Sequence, residues 1–420
     1  MHSYRSDLSL LKDRRFALLM SARAISVLGG SFAPVALAFG VLGLPGANAG
    51  TLSVVLTAGA VPMVAFMLVG GVIADRLPRQ RVMLVGEIMN AVTYLSLAAM
   101  LITGWTPVPA LAAAAAFGGV GLAIFFPAMT GIIPEVVPAD RLQAANGIIG
   151  LGTNSSRIAG FVAGGGAVAL LGPGWALIAS GLLFTVAACL IALLGHHGWP
   201  RPNGTQRHSV LADLREGWQV FISKQWLWVV VAQFSVLVMA LQGAHGVLGP
   251  VVAQQELGGA AAWSAVLAGE AVGMVVGVVI AIRMRPTRPI LVATLMMFPI
   301  ALPYLLLGLG TPLWTVVGAA VISGICLDIF GVLWNTTMQR EIPPEALSRV
   351  SSYDALGSLM FGPIGLFVAG PVAIWIGPRP ALLACAAVVV LSTAAALLSP
   401  GVRQLRAPVA TPDPVLVTSQ

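Results

Sequence analysis

The sequence predicts an all-α membrane protein in which twelve transmembrane helices form two pseudo-symmetric six-helix bundles. Three observations support this fold class: the composition, the length of the apolar runs and the one-sided distribution of basic residues. Of the 420 residues, 58% are hydrophobic and only 9% are charged, whereas a soluble domain carries roughly 25% charged residues. Because so few charges cannot cover a globular surface in water, the lipid bilayer is the first predicted partner.

Twelve apolar runs are long enough to cross a bilayer, which takes about 20 residues of α-helix. The predicted spans, in chain order, are 16–42, 50–74, 82–104, 108–133, 142–171, 174–195, 226–250, 260–282, 289–309, 312–339, 348–376 and 379–399. We exclude the strands of a β-barrel, because the runs are too long and lack the alternation that barrel strands show. No small-residue cleavage pattern follows the first charges, so the first run is expected to be a retained helix.

Basic residues are distributed unequally between the two sides of the predicted bundle. If the odd-numbered spans run outward, 19 of the 22 Lys and Arg residues lie on the side of the chain termini. Arg379 alone lies in the outer loops, and Arg23 and Arg157 lie within spans. This asymmetry follows the positive-inside rule and predicts that both termini are cytoplasmic. The basic residues separate apolar runs and form no stripe, so the net charge of +7 does not predict nucleic-acid binding.

A long polar segment divides the spans six and six. The predicted regions are an N-terminal bundle at 1–195, a cytoplasmic linker at 196–225, a C-terminal bundle at 226–400 and a disordered tail at 401–420. The two bundles align without a gap when Pro138 is matched to Pro343, and the same shift matches Gly172-Pro173 to Gly377-Pro378. Repeated six-helix halves with a site between them near mid-membrane are typical of secondary transporters.

The loop between spans two and three concentrates charge in an otherwise apolar region. Its sequence GVIADRLPRQR, residues 71–81, resembles the G-x-x-x-D-R-x-G-R-R/K signature of the major facilitator superfamily, and the twelve spans extend this resemblance over the whole chain. The run PADRLQAAN, residues 138–146, is most similar to the bacterial efflux branch that includes macrolide and enterobactin exporters. The resemblance implies a proton-coupled exporter of amphipathic small molecules, such as drugs or secondary metabolites, in the bacterial inner membrane. We expect a monomer.

The chain also departs from the family pattern. Pro78 replaces the loop glycine and Gln80 replaces a basic residue. The Gly-Pro motif of efflux proteins is not intact in span five, where Arg157 stands at the position that matches Gly362. Its counterpart in span eleven, Gly362-Pro363-x-Gly365, is present. These departures count against a standard drug/proton antiport mechanism.

The charged loop has two readings. Its arginines suffice for a positive-inside anchor, but Asp75 contributes nothing to topology. The resemblance implies that Asp75 contacts the start of span eleven near Ser351 and Ser352, where a helix N-terminus stabilises a carboxylate by about 0.3–1 kcal/mol. That contact exists only when the cytoplasmic side is closed, which makes the loop a conformational latch. The latch residues are Gly71, Asp75, Arg76, Arg79 and Arg81.

Charged residues inside spans cost roughly 2.5–3.5 kcal/mol each near the helix centre, so they are functional candidates. Arg157, Glu270 and Asp328 lie near mid-depth and are assigned to proton coupling or substrate contact, against the alternative of a static buried pair. We expect Arg157 to approach Glu270, directly or through water, because spans five and eight adjoin in the family fold. The competing arrangement pairs Arg157 with Asp328 or an anionic substrate.

Other charged and polar residues have weaker assignments. Arg23, Glu87 and Asp354 lie nearer the cytoplasmic ends of their spans, and we assign them to snorkelling or structural pairing. Possible cavity residues are Asn154, Gln233, Gln242, His245, Trp334 and Asn335. A lone histidine such as His245 is more often a hydrogen-bonded packing residue than a proton relay.

The sequence lacks the motifs of several other function classes. It contains no nucleotide-binding motif, no H-E-x-x-H and no G-x-S-x-G, and Cys189, Cys326 and Cys385 lie in apolar runs without metal or disulfide spacing. We therefore predict no enzyme activity, no cofactor and no metal, with a small-molecule substrate and protons as partners. The alternatives are an uptake carrier, a lysolipid transporter and a non-transporting sensor of the same fold.

Overall fold

The computed structural model of the protein describes residues 8–138, 141–194 and 218–406, and within these ranges the chain forms helices and no strands. Within these ranges twelve long helices form the bundle: α1 Arg14–Leu42, α2 Ala49–Arg76, α3 Arg79–Thr103, α4 Val108–Val136, α5 Leu142–Leu171, α6 Pro173–Leu193, α7 Gln225–Leu257, α8 Ala260–Arg283, α9 Pro289–Leu309, α10 Leu313–Glu341, α11 Pro344–Ile376 and α12 Pro378–Leu398. All of them except α5 contain a segment that is long and apolar enough to cross a membrane. Short helices flank them at Leu8–Lys12, 218–223 and Pro400–Gln404. The predicted all-α membrane fold is confirmed.

Three of these helices are interrupted. In α7, Gln225–Gly243 is followed by π-helical turns at Ala244–Leu248 and Ala253–Leu257, so the predicted end at 250 is wrong and the helix continues. A 3₁₀ turn at Phe298–Ala301 interrupts α9, and α11 breaks between Leu359 and Gly362. Such irregular turns often occur at functional positions within helices.

The internal repeat is visible in the backbone. Gly172, before α6, has φ 89° and ψ 162°, and Gly377, before α12, has φ 91° and ψ 155°. Only glycine adopts this region without strain, and the proline that follows each glycine has the φ that the first turn of a helix needs. The same Gly-Pro turn therefore starts the last helix of both halves.

Two helix pairs account for most of the packing between the first six helices and the last six: α5 packs on α8, and α2 packs on α11. We call the end at which α1 begins the basic end, and the other the opposite end. The closest inter-half packing is at the opposite end, where a Cβ on Gly165 would overlap the Ser264 side chain and one on Gly370 would meet Ser53. A Cβ on Gly246 would lie 3.3 Å from a methyl group of Leu56. The halves are therefore sealed at the opposite end.

The glycines near the basic end show no such contact between the halves in the described residues: a Cβ on Gly150 of α5 or on Gly331 of α10 would meet no atom within 4 Å. By this measure the halves pack less closely at the basic end than at the opposite end. Residues 195–217, which include most of the predicted linker, are outside the described residues, so the domain boundaries stay a prediction.

We predict that Gly165→Val weakens the seal at the opposite end, because its side chain meets both Ser264 and the Ala260 carbonyl oxygen on α8. The matched control is Gly166→Val, since a Cβ there meets no described atom within 4 Å. Spin labels at Trp105 and Trp314, both exposed at the opposite end, measure the separation in a background without the native cysteines. A longer distance is expected for Gly165→Val only. Equal distributions in the two variants would contradict the seal.

Candidate functional site

A cavity of about 360 Å³ lies among α7, α10 and α11. Its lining combines aromatic rings, carboxylates and small polar groups, represented by Phe234, Asp328, Trp334, Asn335 and Asp354. A shallower groove of about 350 Å³ shares Asp328 and Asn335 and continues along α10 to Gln339, toward the basic end. The cavity is therefore connected to the end at which the halves are not sealed.

Aromatic rings form a ladder along one wall of the cavity. Phe234 on α7 stacks on Phe330 of α10, with ring centroids 5.2 Å apart and planes within 6°. Phe330 stacks in turn on Trp334 at 5.9 Å and 11°, and Trp226 packs edge-on against Trp334 at 5.5 Å. Phe330 and Trp334 are four residues apart on α10, which brings them to one face.

Asp354 lies in the cavity wall, where its two oxygens accept hydrogen bonds from neighbouring side chains. Trp334 Nε1 donates a hydrogen bond to Asp354 Oδ2 at 3.2 Å. Ser358, one turn further along α11, donates to Asp354 Oδ1 at 3.4 Å. The i, i+4 spacing of Asp354 and Ser358 in the sequence indicates that these two side chains can meet on one helix face. It does not indicate that α11 lies beside Trp334.

Glu270 is part of a buried group of three protonatable side chains from three helices. His245 Nε2 lies 3.2 Å from Glu270 Oε2 on α8 and 2.9 Å from the Tyr304 hydroxyl on α9. The His245 ring also packs edge-on against Trp263. His245 lies in the π-helical turn of α7, and the side chains of His245 and Glu270 are 25% and 14% exposed.

The expected direct contact between Arg157 and Glu270 is not present. Helices α5 and α8 do adjoin, as the resemblance implied. However, Arg157 Nη1 donates to Met274 Sδ at 3.7 Å, one helical turn away from Glu270. Arg157 interacts electrostatically with Asp328 and with Arg23, but within the described chain it forms no ion pair with either acid. The sequence placed Arg157 and Glu270 at similar heights, and in the structure they lie about one helical turn apart. It did not predict which helix face Arg157 occupies or which residue it contacts.

Arg23 and Glu87, for which the sequence favours snorkelling or structural pairing, form no ion pair with each other. The Arg23 guanidinium lies over the rings of Phe125 and Phe126, at 5.6 and 5.8 Å from their centroids. Glu87 is 1% exposed, and neither carboxylate oxygen has a hydrogen bond of ordinary geometry among the described residues, although the Ser26 hydroxyl is near. Arg23 and Glu87 attract each other without forming an ion pair.

The remaining cavity candidates have different positions. Gln233 is buried and donates to Thr393 of α12 at 3.3 Å, so it packs α7 against α12 and does not face the cavity. Asn335 Nδ2 donates to the Gly331 carbonyl oxygen at 2.8 Å and lines the cavity. Gln242 is exposed on α7, and Asn154 is half-buried on α5.

The charged loop is only partly described. The side chain of Asp75 is outside the described residues, so the latch contact remains a prediction. Arg79 Nη1 donates to the Gly131 carbonyl oxygen at 2.6 Å and to Glu135 at 2.9 Å, which ties α3 to the end of α4. Gln80 is buried and donates to the Ile191 carbonyl oxygen at 2.8 Å. A neutral amide suits this buried position, which explains one departure from the family signature.

Known proteins resemble this chain over most of its length. It matches the Major Facilitator Superfamily over residues 16–362. It is 27% identical to the enterobactin exporter EntS of Escherichia coli O1:K1 and to that of Shigella dysenteriae serotype 1, over 86% of this chain and 88% of each relative.

Solved structures share the fold. A nucleoside transporter NupG variant has a TM-score of 0.75 at 14% identity, covering 92% of this chain and 99% of that one. A bacterial homologue of the lysosomal transporter Spinster, in an inward-facing and unoccupied conformation, has a TM-score of 0.69 at 17% identity, covering 92% and 97%. With its twelve spans, repeated halves and near full-length match, this chain belongs to the Major Facilitator Superfamily.

Proposed function

We propose that this transporter exports amphipathic small molecules from bacterial cells in exchange for protons, by alternating exposure of a central cavity. The observation that carries the proposal is the chain of contacts near the interface between halves in which His245 touches both Glu270 and Tyr304. The name of the relatives, enterobactin exporter, supports export of a small molecule. The family and its transporter relatives indicate a carrier and not an enzyme.

Proton binding at Glu270 changes the bonds that connect three helices. Ionised Glu270 accepts a hydrogen bond from His245 when Nε2 carries a proton, and it attracts the imidazole when that ring is charged. A neutral carboxyl loses this attraction. His245 belongs to the π-helical turn of α7, and the adjacent Gly246 contacts Leu56 of α2 across the interface between halves. A proton can shift the conformational equilibrium only if the two states bind it differently, and this location provides such a difference.

The distribution of basic residues supports the direction of transport. If the basic end faces the cytoplasm, the cavity in this structure is accessible from inside the cell and the outer side is sealed. An amphipathic substrate enters there, and rocking of the halves releases it outside. In this proposal the transporter is a monomer with both termini in the cytoplasm.

The charged loop supplies the closing contact at the basic end. In the conformation described here that end is open, so a latch between Asp75 and the start of α11 belongs to the other state. Arg79 is already used by Gly131 and Glu135 in the N-terminal half, which positions the loop rigidly against α4. Asp75 then has the cytoplasmic start of α11 as its proposed partner.

We predict that Glu270→Gln abolishes transport against a substrate gradient while substrate exchange continues, because the coupling proton site is lost but the cavity is intact. The measurement is flux in proteoliposomes with and without an imposed pH gradient. Glu341→Gln is the matched control, since among the described residues the ion pair of Glu341 is with its neighbour Arg340. Proton-driven accumulation by Glu270→Gln at the wild-type level would reject Glu270 as the coupling site.

We predict strong energetic coupling between His245 and Glu270 and weak coupling between Arg157 and Glu270. Losing one partner of a buried charged pair costs about 3–5 kcal/mol, and removing both costs less than the sum. Both coupling energies are measured by thermal unfolding of the single variants and of the two double variants that combine Glu270→Gln with His245→Gln or with Arg157→Met. Additive losses for the His245 and Glu270 variants would contradict the contact seen here.

We predict that Asp75→Asn leaves membrane insertion and expression unchanged but slows transport strongly, because the charge that stabilises the closed basic end is lost. Transport rates are compared with those of Arg81→Gln, which removes a loop charge of the opposite sign. A wild-type rate for Asp75→Asn would leave the loop as a topological anchor only.

A further inference from the structure

We propose that the cavity beside Asp354 is a binding site for organic cations that carry flat aromatic or bulky apolar groups. The inference rests on the proposed transport function and narrows its substrate class. Asp354 provides the charge that the ligand neutralises, and the ladder that begins at Phe234 provides the apolar wall.

The charge of Asp354 is not neutralised by the protein. Both of its hydrogen bonds come from neutral donors, the Trp334 indole N–H and the Ser358 hydroxyl. These donors hold the carboxylate in position and leave its negative charge uncompensated. No Lys, Arg or His lines the cavity in the part of the chain that the structure describes. Asp354 is partly buried, and a cationic ligand would supply the charge partner that its two neutral donors do not.

Asp328 adds a second acid to the same lining. It makes no hydrogen bond or ion pair with the described residues, and its charge is opposed only by electrostatic interaction with Arg157. Arg157 itself is directed to Met274 of α8 and is not part of the lining. The cavity therefore presents two carboxylates and disfavours an anionic ligand through like-charge repulsion.

The aromatic wall favours a cation over a neutral polar ligand. The Phe234 ring stacks on Phe330 and lines the cavity, so a ligand in the cavity meets an aromatic side chain. Ring faces attract cations, and desolvation strengthens this attraction. The volume of about 360 Å³ falls in the range that small organic ligands occupy in proteins, and the adjoining groove along α10 accommodates a longer apolar group.

A matched pair of probes tests the sign of the charge. Tetraphenylphosphonium and tetraphenylborate have nearly the same size and shape and opposite charge. Binding to the purified full-length protein is measured by isothermal titration in one detergent. We expect saturable binding of the phosphonium and no saturable binding of the borate. Equal binding of both ions, or tighter binding of the borate, would overturn the proposal.

Two variants test the assigned residues. Asp354→Asn should weaken phosphonium binding by about tenfold or more, and Phe234→Leu, which keeps the charge and an apolar side chain, should weaken it several-fold. Glu341→Gln, away from the cavity, should bind like the wild type. Unchanged affinity in both Asp354→Asn and Phe234→Leu would also overturn the site. If phosphonium fails to bind while proton-driven flux of another substrate persists, the cation class is wrong and the transport function stands. If phosphonium binds but no proton-driven flux is measured, the transport proposal alone is rejected.

Discussion

The structure depends on the absence of water in the bilayer. A charged or polar side chain inside a span must find its partners within the protein, and the few charges of this chain do so in different ways. Glu270 is contacted by His245, which in turn contacts Tyr304, whereas the hydrogen bonds of Asp354 come from neutral donors. Arg23 rests on aromatic rings. The different roles proposed for these charged side chains follow from how many hydrogen-bond and charge partners each one has within the protein.

Small residues allow the helices to hold these partners in place. Lipid provides no hydrophobic drive for helix association, so close van der Waals packing must replace it. A Cβ on Gly273 or Gly277 of α8 would overlap the backbone of α10 at Val321 or Ile325, and one on Gly365 of α11 would overlap that of α7. These backbone contacts fix α7, α8, α10 and α11 as one unit, which is the half that carries the three acids.

The sequence predicted the helices and the repeat well, because length, hydropathy and the Gly-Pro turns are local properties. It predicted the depth of Arg157 and Glu270 but not their partners, since rise per residue gives height and not the face of the helix. The π-helical turn at Ala244–Leu248 displaces His245 from the position that a regular helix gives it. No pattern of single residues indicated that turn, so the contact between His245 and Glu270 was not predicted. The position of Asp354 in the cavity wall was not predicted for a related reason, since the sequence does not show that α11 lies beside Trp334.

The proton site and the substrate cavity are separate, yet both include α7. Phe234 lines the cavity, and His245 contacts Glu270 about 16 Å further along the helix, at 1.5 Å per residue. In the proposed mechanism a proton and a cation do not compete for one carboxylate, since Glu270 and Asp354 lie in different groups of contacts. Exchange then requires that each ligand favour a different arrangement of the same helix. The π-helical turn at Ala244–Leu248 contains His245 and packs on α2 of the other half. Coupling through α7 therefore needs no direct contact between the proton and the substrate.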